Sequence, residues 1–223
     1  NYARGMRLVL AVNVGAAFGL AALAVPIVQL LFRYGRFNEG NCLATSHLLV
    51  LFAVAMPFLA MISIVTRALN VAGQTRSTFI AALHALAVNA VGSVTAVGMG
   101  HGVEGLAVAN AVSTVWQYLV LRHYLRKHAP EFLEESLLKP AAQVFIGSLV
   151  LGIIAFNGYS FLHGVLTGHL DEKLNLVVSM GVAGVSGMVV YALYLDRLGY
   201  PERDLLRGYA NKVLRFAGVQ LRA

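Results

Sequence analysis

Charged residues and cysteine are both scarce in this sequence. Only 12% of the 223 residues are Asp, Glu, Lys or Arg, about half the share of an ordinary soluble domain. The single cysteine, Cys42, excludes an internal disulfide. No acidic residue lies deep in an apolar run, and His-Glu-x-x-His, paired-cysteine and Gly-x-Ser-x-Gly motifs are missing. Because intramembrane hydrolases and prenyl transferases need buried carboxylates or metal ligands, we predict that the chain is not an enzyme.

Apolar residues, in contrast, make up 58% of the chain. A membrane-spanning helix needs about 20 of them in succession. The runs do not alternate with polar residues, which excludes transmembrane strands. We therefore predict an all-α, polytopic membrane bundle of six transmembrane helices, in residues 8–32, 48–66, 79–100, 103–121, 141–161 and 174–195.

The basic residues predict the orientation of these helices. The net charge is +7, which in a soluble protein would suggest nucleic acid. Here the basic residues lie between the apolar runs, so a role in topology is favoured and no nucleic-acid partner is expected. Fourteen of the 17 lie on the side of the N terminus, in segments 1–7, 67–78, 122–140 and 196–223. This bias predicts that both termini are cytoplasmic.

The charged segments also divide the chain. We predict a four-helix part (1–121), a solvated cytoplasmic connector (122–140), two additional helices (141–195) and a basic cytoplasmic tail (196–223). Apolar residues among the basic ones suit a tail helix lying on an anionic leaflet, although a frayed, solvated tail is the other interpretation. The chain begins at Asn1 without signal-peptide features, so we expect a portion of a longer protein.

Prolines and glycines within the apolar runs predict the shape of the helices. Pro26 and Pro57 each remove one backbone hydrogen bond, so both helices are expected to bend. Gly15 and Gly19 form a small-residue face suited to close helix packing. Closely packed, bent helices are compatible with alternating-access transport, but packing alone also accounts for them.

Neutral polar residues in the third and fourth runs form a candidate site. Asn89 and Ser93 are i, i+4 and share a helix face, and Ser93 and Asn110 lie at equal depth, about 10 Å from the connecting turn. An amide in hydrocarbon needs a partner. An interhelical hydrogen bond is the favoured interpretation. The alternative is a cation site for Na⁺, formed by Asn89, Ser93, Asn110 and the carbonyl of Leu106.

Three segments resemble the MurJ, or MviN, family of lipid II flippases. Residues 19–37 (GLAALAVPIVQLLFRYGRF) resemble its Ala-x-Pro-Ile-Val helix end, followed by Leu-Phe-x-x-Gly-x-Phe. Residues 67–78 (RALNVAGQTRST) resemble its Arg-Ala-aromatic loop, and residues 100–113 (GHGVEGLAVANAVS) its Gly-x-x-Gly-Leu-Ala helix start. The loop departs from the family pattern: Leu69 and Asn70 replace an aromatic pair, and Gln74 replaces an Asp.

The resemblance implies part of a MATE-like fold, that of the multidrug/oligosaccharidyl-lipid/polysaccharide exporters. Family members have fourteen helices, of which this chain resembles helices nine to fourteen, and the last two form a lipid-tail groove. The implied function is alternating-access translocation of lipid II, the undecaprenyl-pyrophosphate-linked peptidoglycan precursor, across the bacterial inner membrane for cell wall synthesis. Implied partners are lipid II, membrane lipids and the missing N-terminal half, with no cofactor. Alternatives are an exporter of drugs or polysaccharide lipids, and a non-transporting membrane scaffold.

Two arginines in the second motif are candidate substrate-binding residues. Arg67 and Arg76 flank a short turn between the second and third runs. We predict that they mark the two helix ends and contact lipid phosphate. Positive-inside anchoring explains them equally well. The essential cavity arginines of the family lie in segments outside this chain.

Overall fold

The computed structural model describes residues 2–32, 39–133 and 136–202, and its regular elements are helices. The predicted all-α class is therefore confirmed for the described part of the chain. The basic tail from residue 203 onward, and residues 33–37 of the first motif, lie outside the described residues. The helices are α1 (Tyr2–Ala22), α2 (Ala24–Phe32), α3 (Glu39–Val71), α4 (Thr75–Gly98), α5 (Gly102–His128), a 3₁₀ turn (Pro130–Leu133), α6 (Leu138–Leu166) and α7 (Glu172–Arg197).

Five of these helices are long and apolar enough to cross a membrane: α1, α3, α4, α6 and α7. The chain is therefore a multi-pass helical membrane protein, but the predicted number of six spans is not confirmed. The helix that falls short is α5, the fourth predicted span. Glu104 in its first turn, together with polar residues such as Asn110 and Gln117 further along, lowers its mean hydropathy.

Several helices extend beyond the predicted apolar runs. The first turns of α3 lie before residue 48, and α5 continues seven residues past the predicted boundary at 121. Leu125 and Ala129, both in the predicted connector, are completely buried. The first third of segment 122–140 is thus packed structure, because α5 needs partners for its apolar face after it leaves the hydrocarbon-length run.

The two helix prolines behave differently. The predicted run 8–32 is divided into α1 and α2 at Leu23, three residues before Pro26. Pro26 has no N–H to donate to the carbonyl of Ala22, whereas the amides of Leu23 and Ile27 keep their i−4 partners. In contrast, α3 is continuous through Pro57.

Helix α1 is at the centre of the packing. It packs against α3 on one side and against α6 on the other, while α2 lies against α3 and α7. One buried cluster joins α1, α3 and α5 through Met6, Leu69 and Leu125. A second joins α1, α6 and the end of α7 through Ala11, Val144 and Leu195. The hairpin α6–α7 is thus attached to the bundle chiefly through α1 and α2.

Candidate functional site

The structure brings the three polar side chains of the α4–α5 hairpin together. The hydroxyl of Ser93 donates a hydrogen bond to Asn89 Oδ1 at 3.0 Å. The amide Nδ2 of Asn89 donates to Asn110 Oδ1 at 3.4 Å. All three residues are half-buried. The expected interhelical hydrogen bond is therefore present, but Asn89 rather than Ser93, the residue at equal depth, donates it to Asn110.

Small residues allow α4 and α5 to lie close enough for this bond. A Cβ at Gly92 would be 3.0 Å from the Cβ of Ala109, and a Cβ at Gly105 would be 2.6 Å from that of Ala96. The connecting turn requires positive φ angles at Gly100 (79°) and Gly102 (53°), which L-residues rarely adopt. Glycine in the segment 100–105 thus makes both the tight turn and the close helix contact.

The fourth member of the predicted cation site, the carbonyl of Leu106, is a backbone group inside α5. Leu106 lies one turn before Asn110 within α5, so its carbonyl faces the amide N–H of Asn110 in the regular helical pattern. Both side-chain amide oxygens of the cluster already accept hydrogen bonds. Among the described residues, no group of three or more His, Cys, Asp or Glu is arranged to hold a metal ion. The Na⁺ site remains a prediction.

Arg67 and Arg76 lie on either side of the α3–α4 turn. Arg67 is in the last turns of α3 and Arg76 is the second residue of α4, and both are exposed. Gly73 (φ 72°) makes the turn, which is closed by a 2.8 Å hydrogen bond from the backbone N–H of Gln74 to the carbonyl of Leu69. Both arginines are therefore exposed at this turn, while Leu69 anchors it in the core. Their contact with lipid phosphate remains a prediction.

Two apolar grooves lie on either side of α1. The first, of about 420 Å³, lies between α1–α2 and α6–α7 and includes Gly15, Gly19, Leu151, Gly184 and Tyr191. The second, of about 630 Å³, lies between α1, α3 and α6. Both are lined almost entirely by carbon, so hydrocarbon can fill them without leaving polar groups unpaired. We call the first one the α1–α7 groove.

A polar network that the sequence analysis missed closes the α6–α7 hairpin. Asn175 is buried, and its Nδ2 donates to the carbonyl of His163 at 3.2 Å. The hydroxyl of Ser179 donates to Asn175 Oδ1 at 2.9 Å. The signal was available in the sequence: the Asn-x-x-x-Ser spacing of residues 89 and 93 recurs at residues 175 and 179.

Three further side chains, which no sequence pattern indicated, join α7 and its end to α1. The hydroxyl of Tyr191 donates to the carbonyl of Ala11, and that of Tyr200 to the carbonyl of Arg7, each at 2.7 Å. Glu202 pairs with Arg7 at 2.9 Å. These contacts join residues 180 to 195 positions apart, a separation at which no periodic pattern carries information.

These features together define a multi-pass helical membrane protein with polar hairpins and apolar grooves. The sequence matches the family described as "Lipid II flippase MurJ" over residues 1–173. Since this match covers most of the chain, the chain belongs to that family, which is a family of transporters.

Individual relatives agree. The chain is 25% identical over 195 residues to the probable lipid II flippase MurJ of Thermotoga maritima, covering 86% of this chain and 36% of the relative. It is 28% identical over 191 residues to the corresponding Bdellovibrio bacteriovorus protein, covering 85% and 36%. The chain thus spans about a third of the length of the curated relatives that it matches.

A solved structure is also similar. It is described as lipid II flippase MurJ in an inward closed conformation, with a TM-score of 0.68 and 20% sequence identity. The match covers 90% of this chain and 38% of that one. At this identity the likeness shows the fold alone. Its coverage exceeds that of the family match and therefore takes in part of α7, beyond residue 173.

Proposed function

We propose that this chain is part of a lipid II flippase, which moves the undecaprenyl-pyrophosphate-linked peptidoglycan precursor across the bacterial inner membrane by alternating access. The match to the flippase family over residues 1–173 is the observation that carries this proposal. Such transport needs no covalent chemistry, in keeping with helices that carry amides and hydroxyls where an enzyme would need carboxylates. Because the relatives are about three times longer than this chain, the proposed transport requires the other segments of a full-length flippase as well.

The α1–α7 groove is the proposed contact for the lipid tail. Its walls are formed by residues of four helices, chiefly glycine, alanine and leucine, so a polyprenyl chain would lie there without desolvating polar groups. The close approach of the hairpin to α1 depends on small residues, because a Cβ at Gly15 would lie 3.0 Å from the ring of Tyr191. The tail would remain in an apolar environment while the headgroup crosses elsewhere in the full-length transporter.

We infer that α5 also crosses the membrane, which gives six spans in the MATE-like arrangement with cytoplasmic termini. Its 27 residues extend about 40 Å, more than the roughly 30 Å of the hydrocarbon. Its charges lie near its ends: Glu104 in the first turn, and Arg122, Arg126 and Lys127 in the last two turns. A tight turn connects it to α4, which is apolar enough to span, so α5 must return alongside it.

Arg67 and Arg76 are proposed to bind the phosphates of lipid headgroups, including the pyrophosphate of the substrate. Both are exposed at the same turn, and guanidinium groups bind phosphate oxygens in a bidentate manner. On the proposed topology this turn faces the cytoplasm, the side from which the substrate enters.

Expression of the full-length gene in a bacterium depleted of its own lipid II flippase tests the proposed function. We expect restored growth and the appearance of lipid II on the outer surface, detected by cleavage with an enzyme added to spheroplasts. An empty vector provides the baseline. Correct membrane insertion without growth or lipid II exposure would overturn the proposal, and movement of a different polyprenyl-linked glycan would favour the polysaccharide exporter.

A further inference from the structure

The carboxylate of Glu202 is buried, although Glu202 belongs to a predominantly basic segment of the sequence. Its side chain is only 6% exposed. Arg7 contacts its Oε1 through Nη2 at 2.9 Å and through Nε at 3.0 Å. Arg4 contacts its Oε2 through Nε at 3.3 Å. One carboxylate therefore joins two arginines at the start of α1 to the chain that follows α7.

The ion pair continues a line of contacts along α1. Tyr200, 1% exposed, donates its hydroxyl proton to the carbonyl of Arg7. One turn further on, Tyr191 donates to the carbonyl of Ala11, and another turn on, its ring packs against Gly15. Burial raises the pKa of Tyr200 above its ordinary value, so this hydroxyl stays protonated and remains a donor.

These contacts end where the α1–α7 groove begins. Ala11, Gly15 and Tyr191 line both the contact and the groove. The separation of α1 and α7 at this end therefore sets the width of the groove. Arg7 is 16% exposed, whereas Arg4 is 57% exposed, so the pair with Arg7 is the one shielded from water and counter-ions.

We propose that Glu202 is a positioning residue, which holds the end of α7 against α1 through Arg7 and Arg4 and so fixes the width of the α1–α7 groove. A buried carboxylate with two arginine partners keeps its charge compensated, and removing it leaves the Arg7 guanidinium poorly solvated. The importance of the groove width for transport rests on the proposed function. The geometric part of the proposal does not.

The first test measures the groove itself in the full-length protein. Spin labels are placed on opposite sides of the groove at Val12 and Met188, in a background without other cysteines, including Cys42. We compare the wild type with Glu202→Gln and Glu202→Lys. The mean distance between the two labels, or the width of its distribution, is expected to increase from the wild type to Glu202→Gln and further to Glu202→Lys. Glu131→Gln, which removes an exposed acid outside the contact, is expected to leave it unchanged.

Transport of lipid II is then measured per amount of folded protein. Loss of the carboxylate is expected to lower the rate by about tenfold or more, since small misplacements of a binding surface have effects of that size. An unchanged label distance in Glu202→Gln would overturn the proposal. A widened groove with an unchanged rate per folded protein would leave the positioning role in place and overturn the link between groove width and transport. If wild-type protein moves no lipid II but the distances still respond, the proposed function fails and the geometric assignment stands.

Discussion

At the scale of single residues, the amide pair of the α4–α5 hairpin allows a measured test. Replacing Asn110 by Ala removes the acceptor of the Asn89 amide, and hydrogen bonds between membrane helices contribute about 0.6 to 2 kcal/mol. We expect the free energy of unfolding of the full-length protein to fall by about 1 kcal/mol. Asn89→Ala should have a similar effect. The double variant should lose less free energy of unfolding than the two single variants added together, because either single change already removes the bond.

Asn157→Ala is the matched control for the hairpin amides. Its Nδ2 donates to Ile153 within the same helix at 2.8 Å, so its loss leaves every interhelical contact in place. The same variants test the cation site. Greater stabilisation by Na⁺ than by K⁺ in the wild type, abolished by Asn89→Ala and Asn110→Ala, would support it. Equal stability in both salts would leave the hydrogen bond as the role of these residues.

The arginine pair of the α3–α4 turn has a prediction of its own. We expect the double variant Arg67→Lys, Arg76→Lys to insert normally but to transport lipid II several-fold more slowly, since lysine keeps the charge and loses the bidentate geometry. Arg122→Lys together with Arg126→Lys, also exposed, provides a matched control without effect. Full transport by the turn variant would show that the two arginines serve only as positive anchors.

Residue patterns predicted one part of the candidate site and missed another. The i, i+4 spacing correctly predicted that Asn89 and Ser93 share a helix face. The equal distance from the turn favoured Ser93 as the partner of Asn110, whereas the bond comes from Asn89, one turn earlier in α4. The pairing of Glu202 with Arg7 spans 195 positions and depends on how α7 packs against α1. In the sequence, Arg4 and Arg7 contribute to the positive-inside bias, whereas in the structure they also neutralise a buried acid.

At the scale of helices, hydropathy locates the hydrocarbon-length portions but not the helix ends. The beginning of α3 and the end of α5 extend past the apolar runs because a helix ends where its backbone partners and packing end. The apolar face of α5 continues to Leu125 and Ala129, which are buried beside α1 and α3. The lost N–H predicted a bend at both prolines, but the helix is interrupted only near Pro26, whereas α3 is continuous through Pro57. The missing donor therefore does not by itself decide where a helix breaks.

The close contact of α4 and α5 predicts a strong effect of a single methyl group. In Gly105→Ala the new Cβ would lie 2.6 Å from that of Ala96, so the helices must separate. We expect a loss of about 1 to 3 kcal/mol in the free energy of unfolding, as for other overpacked sites. Gly98→Ala adds the same methyl group where nothing lies within 4 Å. A thermal unfolding curve that is equal for both variants would contradict the packing argument.

At the scale of the whole molecule, α1 connects two parts of the chain that lie apart in the sequence but pack together in space. The charged segment 122–140 separates the first helices from α6 and α7 along the chain. In space, however, α6 packs directly on α1 and α7 on α2. The structure has an apolar groove between α1–α2 and α6–α7, and its identity with the lipid-tail groove implied by the resemblance is a proposal. Composition alone carries no information about which helices face each other.

The number of spans is decided by one helix, and accessibility labelling tests it in the full-length protein. Single cysteines are placed at Gln74, His101, Glu131 and His169, in a background lacking Cys42. If α5 crosses the membrane, His101 and Glu131, at its two ends, are labelled from opposite sides. With cytoplasmic termini, His101 and His169 react with an impermeant reagent added outside, whereas Gln74 and Glu131 react only after the membrane is opened.

Labelling of His101 and Glu131 from the same side would show that α5 does not span. Outside labelling of Gln74 and Glu131, with His101 and His169 protected, would keep all crossings but reverse the orientation. Charge favours the first outcome, because most of the 17 basic residues lie on the same side as Gln74 and Glu131.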